Sequence, residues 1–412
     1  MADQRPLRIA YLCDFSPLNR NLYSGGNARI YDALRQHAGE VTILPQSWHA
    51  AEPLRRLMHA MPEGINLRAR WRLHLALAPL IARGVSRELA RGRYDVLFGA
   101  YSFHSLYRVK PPYPMVTAFT SDATQTVYRN SEIGNWHKSY LRAGRLLDDW
   151  IERCETRVLQ NADLLLWPSQ WLKDAADRRY GLTDETSKLV PWGANLNTPA
   201  PRITPTKISR QGPVRLLLIG RNWFAKGGPI AFDTMTALRA NGIDARLTVI
   251  GCKPPKFHRT EHVTVLGALD KAVPDQLALF EKTFDNAHFL IQPSYESYGF
   301  AFCEASAYGV PSLCLRVGGV PIREGVNGHA LPLGSTPADF AAVIERYLDD
   351  PAGYWVLGQS TRREFEDRLN WDSWGRRTAA LLHDKVTQFT QENWTQPGRC
   401  SGPIAGAEWP LR

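Results

Sequence analysis

The chain has no apolar run long enough to cross a bilayer. The longest, around Leu73 to Ala82, is broken by His74 and Pro79 and falls well short of the roughly 20 residues that a spanning helix needs. Its six cysteines, Cys13, Cys154, Cys252, Cys303, Cys314 and Cys400, form no Cys-x-x-Cys pair and no Cys/His cluster at metal spacing. This pattern excludes a zinc module and makes reduced thiols and no metal the expectation. No Gly-x-Gly-x-x-Gly occurs, which disfavours hydride transfer from a dinucleotide. The N-terminus enters a strand-like run directly after Asp3, Gln4 and Arg5, without the apolar stretch and small-residue cleavage site of a secretory signal. A cytoplasmic location is therefore expected.

At 412 residues the chain exceeds what one hydrophobic core usually supports, so two domains are expected. Hydrophobic residues make up 44% and charged residues 22%, the balance of a soluble globular protein. A formal charge of +10 attracts phosphates, and charge alone does not choose among nucleotides, nucleic acids and anionic lipid headgroups. A nucleic-acid role would rest on that charge alone, and no nucleic-acid partner is expected.

Both halves repeat one grammar. The first opens with an apolar strand, Leu7 to Cys13, a loop holding Ser24, Gly25 and Gly26, and a helix-like stretch from Asn27 to His37. Short apolar runs follow at Val41 to Leu44, Val96 to Gly99, Met115 to Phe119 and Leu164 to Trp167, separated by helix-length polar segments. Residues 201–213 are rich in Pro, Thr, Ser and Gly without periodicity and read as a linker. The grammar then restarts with strand Val214 to Ile219, loop Gly220 to Gly228 and helix Pro229 to Asn241. The fold class expected is α/β, two doubly wound Rossmann-like domains spanning 1–200 and 214–372 that face an interdomain cleft, with ligands beyond the carboxyl ends of the strands. Gly25 and Gly26 would then border that cleft, although a Gly-Gly pair equally suits an ordinary turn.

The most informative stretch runs from Ser294 to Ala305, with Glu296 and Glu304 eight apart. Glu296 reads as a loop residue, and a helix starts near Gly299 with Glu304 in its second turn. Free amides near Tyr298, Gly299 and Phe300 then point at an anion, a diphosphate in this reading. A carboxylate one turn on accepts hydrogen bonds from ribose hydroxyls, which is the role assigned to Glu304, and Glu296 reaches a transferred hexose. A second loop, Gly220 to Gly228, carries Arg221 and Lys226 without the spacing of a P-loop. Two fixed cations there would neutralise a departing diphosphate, or they are surface charges.

Gly-Arg-x4-Lys-Gly-Gly at 220–228 paired with Glu-x7-Glu at 296–304 resembles family 4 of the retaining GT-B glycosyltransferases, and Val317 to Pro321 and Gly325 to Gly328 continue the pattern. In the first half, Gly25-Gly26, Asn161 to Ser169 and Val190 to Asn195 follow the family's order. The resemblance implies a hexosyl transfer in glycan or glycolipid synthesis. A nucleoside diphosphate sugar, UDP- or GDP-linked, would be held mainly by the second domain and the acceptor by the first, with no cofactor. It also implies a helix over 373–392 that crosses back to the first domain, leaving 393–412 as an irregular tail. Many relatives carry a histidine where this chain has Ser121-Asp122, so Asp122 or His104 would stand in beside Glu296 as catalytic candidates. No Asp-x-Asp occurs, so Arg221 and Lys226 would replace a metal. A sugar-nucleotide epimerase and a non-catalytic sugar-nucleotide-binding protein are the alternatives. Finally, Arg55 to Arg93 places nine arginines among leucines and alanines. Such a segment suits peripheral contact with an anionic membrane, which would favour a lipid-linked acceptor, or a helix pair packed on the first domain.

Overall fold

The computed structural model describes residues 5–60, 63–136, 147–199 and 207–395. The first half runs β1 (Leu7–Leu12), α1 (Gly26–His37), β2 (Gly39–Ile43), α2 (Glu52–His59), α3 (Glu63–Ala90), β3 (Val96–Ala100), α4 (Phe103–Leu106) and β4 (Val116–Thr120). It continues with α5 (Gln125–Arg129), α6 (Glu132–Trp136), α7 (Asp148–Gln160), β5 (Leu164–Trp167), α8 (Gln170–Tyr180) and β6 (Ser187–Leu189). The second half runs β7 (Val214–Ile219), α9 (Gly228–Ala240), β8 (Ala245–Ile250), β9 (Val263–Gly267), α10 (Pro274–Asn286) and β10 (Phe289–Gln292). It ends with α11 (Phe300–Ala307), β11 (Ser312–Leu315), β12 (Gly328–Leu331), α12 (Pro337–Asp349), α13 (Pro351–Asp367) and α14 (Trp371–Thr395).

The strands form two six-stranded sheets, ordered β2-β1-β3-β4-β5-β6 and β12-β11-β10-β7-β8-β9. Every strand pair in both is parallel, as the near-continuous apolar strands require when helices cover both faces. This is the pair of Rossmann-like domains expected from the sequence. In the first sheet the chain leaves β1 to one side and returns on the other at β3; in the second it does so at β7 and β10. Loops at such a reversal diverge and leave a crevice at the carboxyl ends of the two strands. The order of strands therefore fixes where each half can bind a ligand.

The halves also share a core. Trp192, Tyr298, Phe302 and Trp374 are each at most 1% exposed and belong to one apolar cluster. Phe300 of the second half stacks on Trp192 of the first, with ring centroids 5.8 Å apart and planes within 6°. The helix α14 packs on α1 and reaches β4 and β5 of the first sheet. It runs three residues beyond the end expected at 392, the next helix breaker in the sequence being Pro397. Residues 201–206 of the expected linker and 396–412 of the expected tail lie outside the described residues.

The arginine-rich segment folds into α2 and α3. Leu75, Ala78, Ile81, Val85 and Leu89 of α3 are buried in the first domain's core, so the apolar side of this helix is consumed by packing. Arg70 is buried, while Arg83 and Arg87 face solvent. Among the described residues no helix is long and apolar enough to cross a membrane.

Candidate active site

The two crevices face each other across one cleft of about 1300 Å³. Single small-molecule sites span roughly 300–1,000 Å³, so this cleft has room for two substrates. Its second-domain wall is built from the loops that end β7 and β10. At the first, Gly220 lets the Lys226 side chain lie across the backbone, since a β-carbon at 220 would stand 2.3 Å from Lys226 Cγ. Lys226 Nζ pairs with Glu296 Oε1, which also accepts from Ser294 Oγ at 2.9 Å and Gln292 Nε2 at 3.2 Å. Three donors converge on one carboxylate oxygen, and Oε2 has no protein partner among the described residues. Arg221 also lines the cleft, is exposed, and has no ion-pair partner among the described residues.

Glu304 repeats the arrangement. It sits in the second turn of α11, only 7% exposed at its side chain, and its Oε1 accepts from Lys271 Nζ. Its other oxygen is unpartnered among the described residues. The start of α11 presents the Phe300 and Ala301 amides to the cleft, where the first helical N–H groups lack intrahelical acceptors. The side chains here turn the other way: Tyr298 donates its hydroxyl to the Trp192 carbonyl at 2.6 Å, and the Phe300 ring packs on Trp192. What Tyr298, Gly299 and Phe300 offer a ligand is backbone.

On the first-domain wall, Gly25 has φ +87° and caps α1. Gly26 follows at a close approach, because a β-carbon there would lie 2.1 Å from Tyr101 Oη and 2.7 Å from Phe300 Cζ. Tyr23, Ser24 and Tyr101 around it all hold positive φ, an accumulation of backbone strain usual at functional sites. Asp122 reaches across the cleft and accepts a 2.5 Å hydrogen bond from Ser297 Oγ, one residue from Glu296. Burial pushes its carboxyl above the ordinary range, the Ser297 bond opposes this, and the Glu296 charge adds to it. His104 lies elsewhere on the wall. Its ring nitrogen Nε2 is 3.1 Å from Asp14 Oδ2, and the ring packs against His74 at 4.8 Å and Trp71 at 5.7 Å. Of the two first-domain candidates, Asp122 is the one beside Glu296.

Sequence reasoning missed several residues that shape this site. Asp14, at the carboxyl end of β1, gathers His104, Ser105 Oγ at 3.0 Å and Arg70 at 3.8 Å. Lys271 holds Glu304, and its Nζ also donates to the Asn195 carbonyl at 3.2 Å. Asn195 in turn donates to Ser24 O at 2.6 Å and accepts from Trp371 Nε1 at 3.1 Å, tying the glycine loop to α14. Arg29, in the first turn of α1, lines the cleft half-buried without an ion-pair partner among the described residues. The available signal was position: Asp14 follows a strand at a reversal point, and Arg29 lies one turn beyond the glycine pair.

Comparison with known proteins covers both halves. The family model described as Glycosyltransferase Family 4 matches residues 27–198, and the one described as Glycosyl transferases group 1 matches residues 213–350. The D-inositol 3-phosphate glycosyltransferase of Corynebacterium kroppenstedtii is 25% identical over 277 residues, 62% of this chain and 59% of that protein. The glycogen synthase of Mycobacterium tuberculosis is 28% identical over 185 residues, 42% of this chain and 43% of that protein. The chain thus spans less than two thirds of the length of these relatives. Among solved structures, Anabaena HepE in complex with UDP aligns with a TM-score of 0.62 at 16% identity, covering 92% of this chain and 100% of that one. Its UDP-glucose complex aligns at 0.55 and 15% identity, covering 94% and 100%. These structural matches show the fold.

Proposed function

Because the chain belongs to family 4 of the glycosyltransferases, with the two-domain GT-B fold, we propose that it transfers a hexosyl group from a nucleoside diphosphate sugar to a glycan or lipid-linked glycan, with retention of configuration. One observation carries this reading. The Arg221–Lys226 loop and the opening of α11 converge on a single cleft, with Glu296 and Glu304 each held through one oxygen and open at the other.

The free Glu304 oxygen takes the ribose hydroxyls, and the amides of Phe300 and Ala301 take a phosphate. Arg221 and Lys226 stand where charge builds as the bond between the anomeric carbon and the diphosphate oxygen breaks. Glu296 Oε2 orients the hexose. The acceptor hydroxyl bonds to the anomeric carbon on the face the diphosphate leaves, and its proton passes to the departing phosphate oxygen. Such a step needs positioning and fixed charge more than a strong base. Asp122, bridged to Ser297, positions the Glu296 loop from the acceptor side.

The UDP and UDP-glucose complexes of the Anabaena neighbour make a UDP-linked hexose the first donor to try. The test is release of nucleoside diphosphate from UDP-, GDP- and ADP-hexoses with and without acceptor, in the presence and absence of EDTA, with the product's anomeric configuration read by NMR. Acceptor-dependent release that survives EDTA and gives a retained linkage supports the proposal. Conversion of the sugar without acceptor would instead indicate an epimerase. Loss of turnover in EDTA that manganese restores would refute metal independence.

A further inference from the structure

A second cavity, of about 1080 Å³, opens away from the cleft, by the amino ends of β3 and β4. It lies between the C-terminal half of α3, the loop from Leu106 to Pro112 and the end of α7. Its floor is apolar, formed by Ala82, Leu97, Leu106 and Val158. Its rim carries Arg83, Arg87, Arg108, Lys110 and Arg157, all exposed, and neither Asp nor Glu lines it. Among the described residues none of the five has an ion-pair partner. Other arginines on the same domain do: Arg91 pairs with Glu88 at 2.7 Å and Arg129 with Asp148 at 3.0 Å.

Two of the five have an ordinary explanation. Arg87 and Arg157 sit in the last turns of α3 and α7, where a cation complements the helix dipole. Arg83, Arg108 and Lys110 do not share it. Arg108 holds the left-handed backbone at φ +64°, and its loop is tied to α3 by Ser86 Oγ donating to the Lys110 carbonyl at 2.7 Å. The loop is thus anchored in the conformation that brings its cations to the rim, and their mutual repulsion goes unanswered by any acidic side chain of the groove.

We propose that this groove binds an anionic membrane lipid, its phosphate at the basic rim and its hydrocarbon chain along the apolar floor. A free phosphate or nucleotide would satisfy the rim and gain nothing from the floor; an amphiphile uses both. The site is separate from the catalytic cleft and does not depend on the donor reading.

The experiment is co-sedimentation of the full chain with vesicles of phosphatidylcholine alone and of phosphatidylcholine mixed with phosphatidylglycerol. The wild type binds the anionic vesicles selectively. Each cation at such a surface contributes about fivefold, so Arg83→Gln/Arg108→Gln/Arg157→Gln weakens partitioning on the order of 100-fold. The matching triple lysine variant retains binding. A control, Arg56→Gln/Arg210→Gln/Arg246→Gln, loses the same charge elsewhere and binds as the wild type does. Unchanged melting temperature and nucleotide titration show that each variant is folded. Equal binding by wild type and glutamine variant overturns the proposal, as does an equal loss in the control, equal binding to neutral vesicles, or no vesicle binding. Binding of inorganic triphosphate with the same arginine dependence, without vesicle binding, would identify a soluble-phosphate site and also overturn it.

Discussion

Replacing Glu304 with glutamine isolates the contact on which the proposed donor recognition turns. The carboxylate is 7% exposed and spends Oε1 on Lys271, whose Nζ also donates to Asn195 O and lies 4.5 Å from the Phe280 ring centroid. Glutamine keeps the length and one oxygen, so the Lys271 contact survives in neutral form. Lys271 is itself 32% exposed and can turn to water, so the stability change stays within about 1 kcal/mol. The donor loses more. A hydrogen bond to a charged group contributes about 1.5–3 kcal/mol, so the variant should bind the nucleotide sugar on the order of 10- to 100-fold more weakly. Calorimetric titration with UDP-hexose and with its 2′- and 3′-deoxyribose analogues provides a double-mutant cycle. The wild type should discriminate against the analogues and Glu304→Gln should not. Equal affinity of both proteins for the parent sugar, or full discrimination retained in the variant, would refute the ribose role.

Lys226→Met removes the cation that the proposed mechanism sets at the leaving group and leaves Glu296 without its charged partner; kcat should fall on the order of 100-fold or more with a smaller change in KM, measured by steady-state nucleotide release. Gly26→Ala drives a methyl group into Tyr101 and Phe300, which are themselves stacked on Tyr23 and Trp192. Thermal melting should show a loss of about 1–3 kcal/mol with reduced turnover. His74 is held neutral by burial and by neighbouring His104, its imidazole pushed down to about 3. An unfolded histidine takes up its proton near 6.5. Between these values the unfolded chain binds the extra proton, so stability is full above about 6.5 and declines as the pH falls toward 3, by a few kcal/mol on the order of what such a shift allows. His74→Asn should flatten that part of the melting-temperature profile; parallel profiles would refute this, showing that His74 takes up its proton as readily in the folded chain as in the unfolded one.

Much of the fold was written locally. Strand, glycine loop and helix alternate in both halves because a parallel sheet needs apolar strands, a turn that spares the backbone, and a covering helix, and each of these is a short-range pattern. The stretch from Ser294 to Ala305 likewise put Glu296 on a loop and Glu304 one turn into a helix, where the structure has them. The basic stretch from Arg55 to Arg93 was ambiguous, since periodicity shows that a helix has an apolar side but not what covers it; packing against the first sheet answered that for α3. Pairing was out of reach altogether. Asn195 with Ser24, Asp122 with Ser297, Lys271 with Glu304 and Asp14 with His104 join residues between 33 and 175 positions apart. No periodicity links such positions. The order of strands brings them together, because it decides which loops end at a reversal and so which carboxylates meet which cations. The sequence by itself determined the elements and the residue types that carry charge. Tertiary structure decided which oxygen of each glutamate is spent on the protein and which is left open to the cleft, since that depends on long-range packing that only the assembled sheets create.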